Sequence, residues 1–268
     1  MSLKDELKGK ISEKGLEKLP NRFDIVGDIA VVSIPDELES YKEDIACAIT
    51  GRMQNIKNVL NKVSKLEGNR RVAGFEIIAG NSTETIHKEF GFSYKIDLRQ
   101  SFFNGRLSYE RKRVASLIKP EENILVPFSG VGPFAIPAAA SAASVVAVEM
   151  NRAACKSFIT NRRLNGLEDK IHIINADANS IPNLLKTEFD RAIIPTPYGM
   201  DHFLETISPL VKKGGFIHFY TFKPKEKIPE LIKRYESMGF EVLFHRRCGN
   251  VAPGISRWVF DLKNEILF

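Results

Sequence analysis

Three places in the chain put chemically capable residues at the ends of apolar runs. Residues 124–128 form an apolar run that leads into Ser129-Gly130-Val131-Gly132-Pro133. Residues 144–149 form a second run and end on the acid Glu149, and a third leads through Asn175-Ala176 to Asp177. Glycines in a strand-to-helix turn have two readings. They let a backbone approach a ligand without an intervening Cβ, or they let a helix pack closely on a strand. Two carboxylates at two further strand ends favour the first, because open α/β sheets bind ligands at their strands' carboxyl ends. An acid at Glu149 suits the two hydroxyls of a ribose, and Asp177 suits the amino group of an adenine.

The turn also says which nucleotide. A dinucleotide places its pyrophosphate on N–H groups at the helix start. Pro133 removes one such donor. A sulfonium cofactor carries no phosphate and loses nothing there, so S-adenosyl-L-methionine is favoured over NAD.

These residues need a scaffold of alternating elements. Helix 108–118 stops before Pro120. Strands at 124–128, 144–149, 172–175, 191–194 and 216–222 then alternate with helices at 133–143, 151–165, 180–187, 200–212 and 224–238. Such alternation predicts a parallel sheet covered by helices on both faces. Strands at 240–247 and 256–262, split by a Gly/Pro loop, predict a closing antiparallel hairpin. The preceding residues have another texture: a hairpin over 23–32 turning at Gly27-Asp28, a helix over 38–66, and strands at 71–79 and 94–98. The expectation is an α/β chain: a small α+β domain (1–100), followed by a Rossmann-like domain (101–268) of the class I methyltransferase type.

Charge suggests a partner. The chain has 268 residues and a formal net charge of +6. Its basic residues cluster at 45–75 (Arg52, Lys57, Lys62, Lys65, Arg70, Arg71), at Arg111, Lys112 and Arg113, and at Arg246, Arg247 and Arg257. Any one cluster can be a solvated face; three together favour a polyanion. No apolar run reaches the length of a membrane span, and Met1–Lys10 lacks the apolar core of a signal peptide. Cys47, Cys155 and Cys248 lie far apart, and the five histidines share no ligand spacing. We therefore expect a cytoplasmic protein without a metal, a monomer acting on a soluble partner.

Five stretches taken together resemble one family: FDIVGDIAVV (23–32), AGNSTETIHKEFGFSYKIDL (79–98), FFNGRLSYERKRVA (102–115), PFSGVGPFAIPAA (127–139) and GNVAPGISRWVFDL (249–262). The chain is similar to the archaeal and eukaryotic tRNA (guanosine-37-N1)-methyltransferases. It is also similar to their sister group, the wyosine-pathway enzymes that transfer the aminocarboxypropyl group of the same cofactor. Arg106-Leu107, Gly132-Pro133-Phe134 and the run 217–222 follow the methyltransferase form. The resemblance implies tRNA as partner, with the anticodon loop at position 37 as target. It implies Glu110 as the general base that takes the N1 proton, and Arg71 or Arg106 as stabiliser of the charge that builds on O6. It implies a cofactor set of Phe102, Ser129, Gly130, Gly132, Pro133, Glu149, Met150, Asp177, Ala178 and Pro195. Pro197, Tyr198, Lys57 and Lys62 are then expected to bind substrate. Alternatives are aminocarboxypropyl transfer and RNA binding without turnover.

The sequence departs from the family at three points. Val126-Pro127 stands where the first strand usually ends in an acid. Pro195-Thr196-Pro197-Tyr198 replaces an NLP-like motif, so a side-chain amide and a backbone donor are lost. The N-terminal module of full-length methyltransferases is expected to be absent.

Overall fold

The computed structural model describes residues 3–20, 22–64 and 73–266. Arg71, together with Lys65 and Arg70, lies outside them. The chain divides into two compact units, 1–105 and 106–268.

The first unit begins with two short helices, α1 (Leu3–Leu7) and α2 (Glu13–Lys18). Strands β1 (Asp24–Val26) and β2 (Ile29–Val32) pair antiparallel around Gly27-Asp28. Gly27 has φ +59°, and a Cβ there would meet Thr85 Oγ1 at 2.1 Å, so the turn excludes side chains. Helix α3 (Lys42–Arg52) buries Ile45 and Ile49. It ends there, and the expected helix over 38–66 is corrected. After a short turn the chain forms β3 (Asn58–Lys62), parallel to β2 and antiparallel to β4 (Phe75–Ala79). The apolar positions Ile45, Ile49, Ile56, Val59, Leu60 and Val63 imitate a continuing helical stripe. A central strand buried on both sides also shows consecutive apolar residues, and short apolar runs do not separate the two. Val59 and Leu60 are both fully buried. Buried Asn58 and Asn61 complete the arrangement: Asn58 Oδ1 accepts from the N–H groups of Asn81 and Ser82, and Asn61 Oδ1 from that of Ile34. Strands β5 (Glu84–Glu89) and β6 (Phe92–Asp97) form a separate hairpin, of which the sequence reading contained only the second strand.

The second unit begins with α4 (Ser108–Ala115). Its sheet has seven strands: β7 (Asn123–Pro127), β8 (Ser144–Glu149), β9 (Ile171–Asn175), β10 (Phe189–Ile194), β11 (Val211–Lys223), β12 (Phe240–Ala252) and β13 (Ile255–Asn264). Their order is β12-β13-β11-β10-β7-β8-β9. The five strands β7 to β11 run parallel, and β13 lies antiparallel between β11 and β12. The order reverses between β10 and β7, the position where doubly wound sheets open a crevice for ligands. Helices α5 (Ala135–Ser141), α6 (Arg152–Leu164), α7 (Ile181–Leu184), α8 (Phe203–Ile207) and α9 (Ile228–Ser237) fill the connections. The expected helix over 200–212 is cut short, because Val211 already begins β11 and is buried. No helix among the described residues is long and apolar enough to cross a membrane.

Candidate active site

The turn after β7 is shaped by its glycines in different ways. Phe128, Gly130 and Gly132 all have positive φ. At Gly132 a Cβ would lie 2.3 Å from the ring of Phe158 on α6. This glycine is required by close packing of α6, so at Gly132 packing accounts for the residue without any ligand. The Gly132 carbonyl accepts from Ile136 N–H at 2.9 Å, which places Pro133 in the opening turn ahead of α5. Ser129 Oγ is buried without a hydrogen-bond partner, an orphaned polar atom at the carboxyl end of β7. Buried hydroxyls normally find partners, so an unmatched one at a strand end fits a polar ligand.

Glu149 closes β8 beside this turn. Its Oε2 accepts from Gly130 N–H at 2.8 Å and its Oε1 from Asn151 N–H at 2.7 Å. Burial raises its pKa, opposed by the hydrogen bonds from Asn151, Gly130 and Met150. These three N–H groups leave one of the four lone-pair sites of the carboxylate for a ribose hydroxyl. Asn175 braces the same corner by donating to the carbonyls of Glu149 and Met150 at 2.8 and 3.0 Å. Asp177 is exposed and caps the next turn, accepting from Asn179 N–H at 2.9 Å. Ala178 is buried beneath it, and Met150 is exposed. Glu149, Asp177 and the β7 turn thus occupy the carboxyl ends of three neighbouring parallel strands. The donor set fits an adenosine-bearing cofactor: acids for hydroxyls and amine, and no phosphate cradle.

The loop after β10 holds Pro195, Thr196, Pro197 and Tyr198. Thr196 N–H turns back to Ile194 O at 2.8 Å. Asp201 fastens the loop to β11 by accepting from Thr221 Oγ1 at 2.6 Å and from the Lys223 ammonium. Tyr198 is 55% exposed, with its ring 5.4 Å from that of Phe222, and the guanidinium of Arg257 covers Phe222 at 4.9 Å. An exposed ring backed by an aromatic and a cation is a platform on which a base can stack.

Glu110 lies on α4 and is only 2% exposed. Its Oε2 accepts from Arg113 Nη2 at 3.0 Å, from Arg113 Nε at 3.1 Å and from Tyr220 Oη at 3.3 Å. Its Oε1 accepts from Arg246 Nη2. Arg113 is gripped on its other side by Asp261 at 2.6 and 3.1 Å. Burial opposes the charge of Arg113, but Asp261 and Glu110 overcome it and raise its pKa. Burial likewise opposes the charge of Asp261, yet His218 and Arg113 lower its pKa to about 2. The second basic cluster is therefore corrected: Arg113 faces inward as a clamp, and Arg111 is 2% exposed. Neither offers a solvated surface to a polyanion.

The sequence reading missed Arg113, Tyr220 and Arg246 as partners of Glu110, and Asp261 as the second partner of Arg113. A signal existed at Glu110 and Arg113, whose i,i+3 spacing places them on one helix face. The inward phase of Asp261 inside the run Trp258–Leu262 was a second. Arg106 stands in the turn Gly105–Leu107 just before α4 and is exposed. Phe102, Lys57 and Lys62 belong to the first unit. Phe102 is 43% exposed; Lys57 lies just before β3 and Lys62 ends it, so neither stands on a helix. Among the described residues no group of His, Cys, Asp and Glu could hold a metal.

Known proteins resemble this chain in sequence and fold. The family "TRM5/TYW2 methyltransferase domain" matches residues 85–243, and "TYW2 N-terminal domain" matches residues 3–83. The chain is 37% identical to a tRNA (guanine(37)-N(1))-methyltransferase, Trm5b, of Pyrococcus abyssi, over 88% of this chain and 72% of that protein. It is 29% identical to the tRNA(Phe) (4-demethylwyosine(37)-C(7)) aminocarboxypropyltransferase of Pyrococcus horikoshii, over 97% of this chain and 95% of that one. The structure of Methanocaldococcus jannaschii Trm5 in complex with adenosine superposes with a TM-score of 0.84 at 27% identity, covering 99% of this chain and 79% of that one. A match of this extent in both sequence and fold means that the chain belongs to the TRM5/TYW2 methyltransferase family.

Proposed function

We propose that the protein is an S-adenosyl-L-methionine-dependent tRNA methyltransferase that modifies N1 of the guanosine at position 37. The observation that carries this reading is Glu110, a buried carboxylate paired with two guanidinium groups on the unit that also carries the adenosine-type corner. Guanine N1 bears a proton and is a poor nucleophile until that proton leaves, and a positioned carboxylate can take it. When bound, S-adenosyl-L-methionine supplies an electrophilic methyl group on a sulfonium. Glu149, Ser129 and Asp177 would hold its adenosine, and Tyr198 would stack on the target base or its neighbour. Arg71 or Arg106 would face the charge on O6. Lys57 and Lys62 would bind tRNA phosphates, with the anticodon loop as the site of attack. The division of labour is an RNA-positioning first domain (1–100) and a catalytic second (101–268). A monomeric cytoplasmic enzyme fits a tRNA substrate.

One observation favours a second reading. The first 80 or so residues match the N-terminal domain named for the aminocarboxypropyl branch, and the horikoshii enzyme of that branch matches over nearly its full length. Mass spectrometry of a tRNA transcript with guanosine at position 37, incubated with enzyme and S-adenosyl-L-methionine, separates the two. A single added methyl at that base is expected. An aminocarboxypropyl adduct on a wyosine precursor, with guanosine untouched, would establish the second reading instead.

A further inference from the structure

The third basic cluster, Arg246, Arg247 and Arg257, lies on the hairpin that closes the sheet. From Val242 to Arg257 the chain holds no acid. β13 is antiparallel to both β11 and β12, so β12 runs in the direction of β11. The last pair of β11 is Lys223 with Ser256, whereas β12 and β13 continue to Ala252 and Ile255. The tip of the hairpin thus overhangs the carboxyl end of β11. That is the side of the parallel strands on which Ser129, Glu149, Asp177 and the Tyr198 loop stand. Aromatic rings flank the overhang. Tyr220 and Tyr235 of this unit are buried, whereas Tyr109 and Tyr198 are 60% and 55% exposed. Both exposed rings are backed from the hairpin. The Arg246 guanidinium covers Tyr109 at 4.5 Å, and Arg257 covers Phe222, which backs Tyr198. A cation on one face fixes a ring and leaves its other face to a second planar group.

We infer that the overhanging β12–β13 hairpin, together with Tyr109, is the surface that grips the unpaired nucleotides beside the target base. The inference rests on the tRNA reading and deepens it by naming where the loop strand lies. An acid-free surface rich in arginine attracts phosphates, and a ring with an open face attracts a base. Single-stranded RNA offers the two side by side. A duplex keeps its bases stacked on each other and offers a ring nothing. Tyr109 directly precedes Glu110 on α4, so a base stacked on it neighbours the site of transfer. Arg247, exposed on β12, supplies charge to the phosphates of the same strand. Stacking accepts any base, so this surface holds the loop without reading its sequence.

The test is photocrosslinking of the wild-type protein to tRNA transcripts that carry 4-thiouridine on the 5′ or the 3′ side of guanosine-37. Mass spectrometry identifies the crosslinked peptides. Crosslinks to residues 242–257 or to Tyr109 are expected from at least one of the two transcripts. Crosslinks confined to other segments overturn the inference. Substitutions then separate stacking from charge. Tyr109→Ala should weaken tRNA binding by about 10-fold with the slope of log affinity against log salt unchanged, and Tyr109→Phe should bind as wild type does. Arg247→Ala should lower that slope by about one unit. Lys213, exposed near the amino end of β11, should show neither effect when replaced by alanine. Cofactor affinity equal to wild type shows that each variant folds. If Tyr109 only props Arg246, Tyr109→Ala slows turnover and leaves tRNA affinity intact, and that result overturns the inference. An equal loss of slope in Lys213→Ala overturns it as well. Failure of wild type to bind tRNA at all overturns the functional reading itself, a result distinct from tight binding with crosslinks elsewhere.

Discussion

Arg191 Nη1 meets His218 Nε2 at 2.7 Å inside the sheet, and this contact sets the protonation state of the histidine. A guanidinium only donates, so Nε2 accepts and carries no proton. The proton sits on Nδ1 and is donated to Asp261 Oδ1 at 2.6 Å. Arg191 is balanced by Glu122 at 2.7 and 2.8 Å. The chain of contacts runs Glu122, Arg191, His218, Asp261, Arg113, Glu110, Arg246. With His218 neutral its three arginines offset its three carboxylates, which is how so many charges remain inside a core.

This gives a pH dependence of stability. Burial lowers the pKa of His218 from its ordinary 6.5, in spite of Asp261. The unfolded chain then binds a proton there that the folded chain refuses. The contribution of His218 is complete above about 6.5 and is lost as pH falls below it, toward the lower folded value, by at most about 1.4 kcal/mol per pH unit. Asp261, lowered from 3.8 to about 2, adds a second loss as pH falls through that window. Urea unfolding between pH 7.5 and 5 should show the first loss, and His218→Gln should flatten it. An equal slope in the variant would refute the assignment.

Gly132→Ala should destabilise the protein by about 3 kcal/mol, combining overpacking against Phe158 with a strained positive φ. Thermal or urea unfolding measures it. Phe158→Leu in the same chain should return part of the loss by opening space. A variant as stable as wild type would remove the packing role.

Glu149→Ala should weaken S-adenosyl-L-methionine by about 10- to 100-fold, the worth of one hydrogen bond to a charged group. Calorimetric titration of the cofactor reads this directly. Unchanged affinity would exclude Glu149 from the ribose.

Glu110→Gln keeps the shape of the site and removes its basicity. Turnover should fall by at least about 100-fold with cofactor affinity intact. Parallel loss of both would mean a structural carboxylate.

Replacing Lys57 and Lys62 with alanine should weaken tRNA and reduce the slope of log affinity against log salt by between one and two units. An unaltered slope would remove this edge of the first unit from the tRNA footprint.

The sequence by itself determined the parallel sheet, its closing hairpin and the placing of Ser129, Glu149 and Asp177 at neighbouring strand ends. Each depends on local pattern: strands and helices alternate along the chain, and Ser129, Glu149 and Asp177 sit where successive strands stop. Local pattern failed at β3, because Val59 and Leu60 are buried between two neighbouring strands and their run fits the helical period as well. Only tertiary structure decided the surroundings of Glu110. Its partners come from α4, β11 and β12, the acid that holds Arg113 comes from β13, and they meet because β13 inserts antiparallel between β11 and β12. A row of basic residues such as Arg111, Lys112 and Arg113 reads in sequence as a surface. Whether an arginine faces water or a buried carboxylate depends on which acid the fold brings to it, and Asp261 lies 148 residues away from Arg113 along the chain.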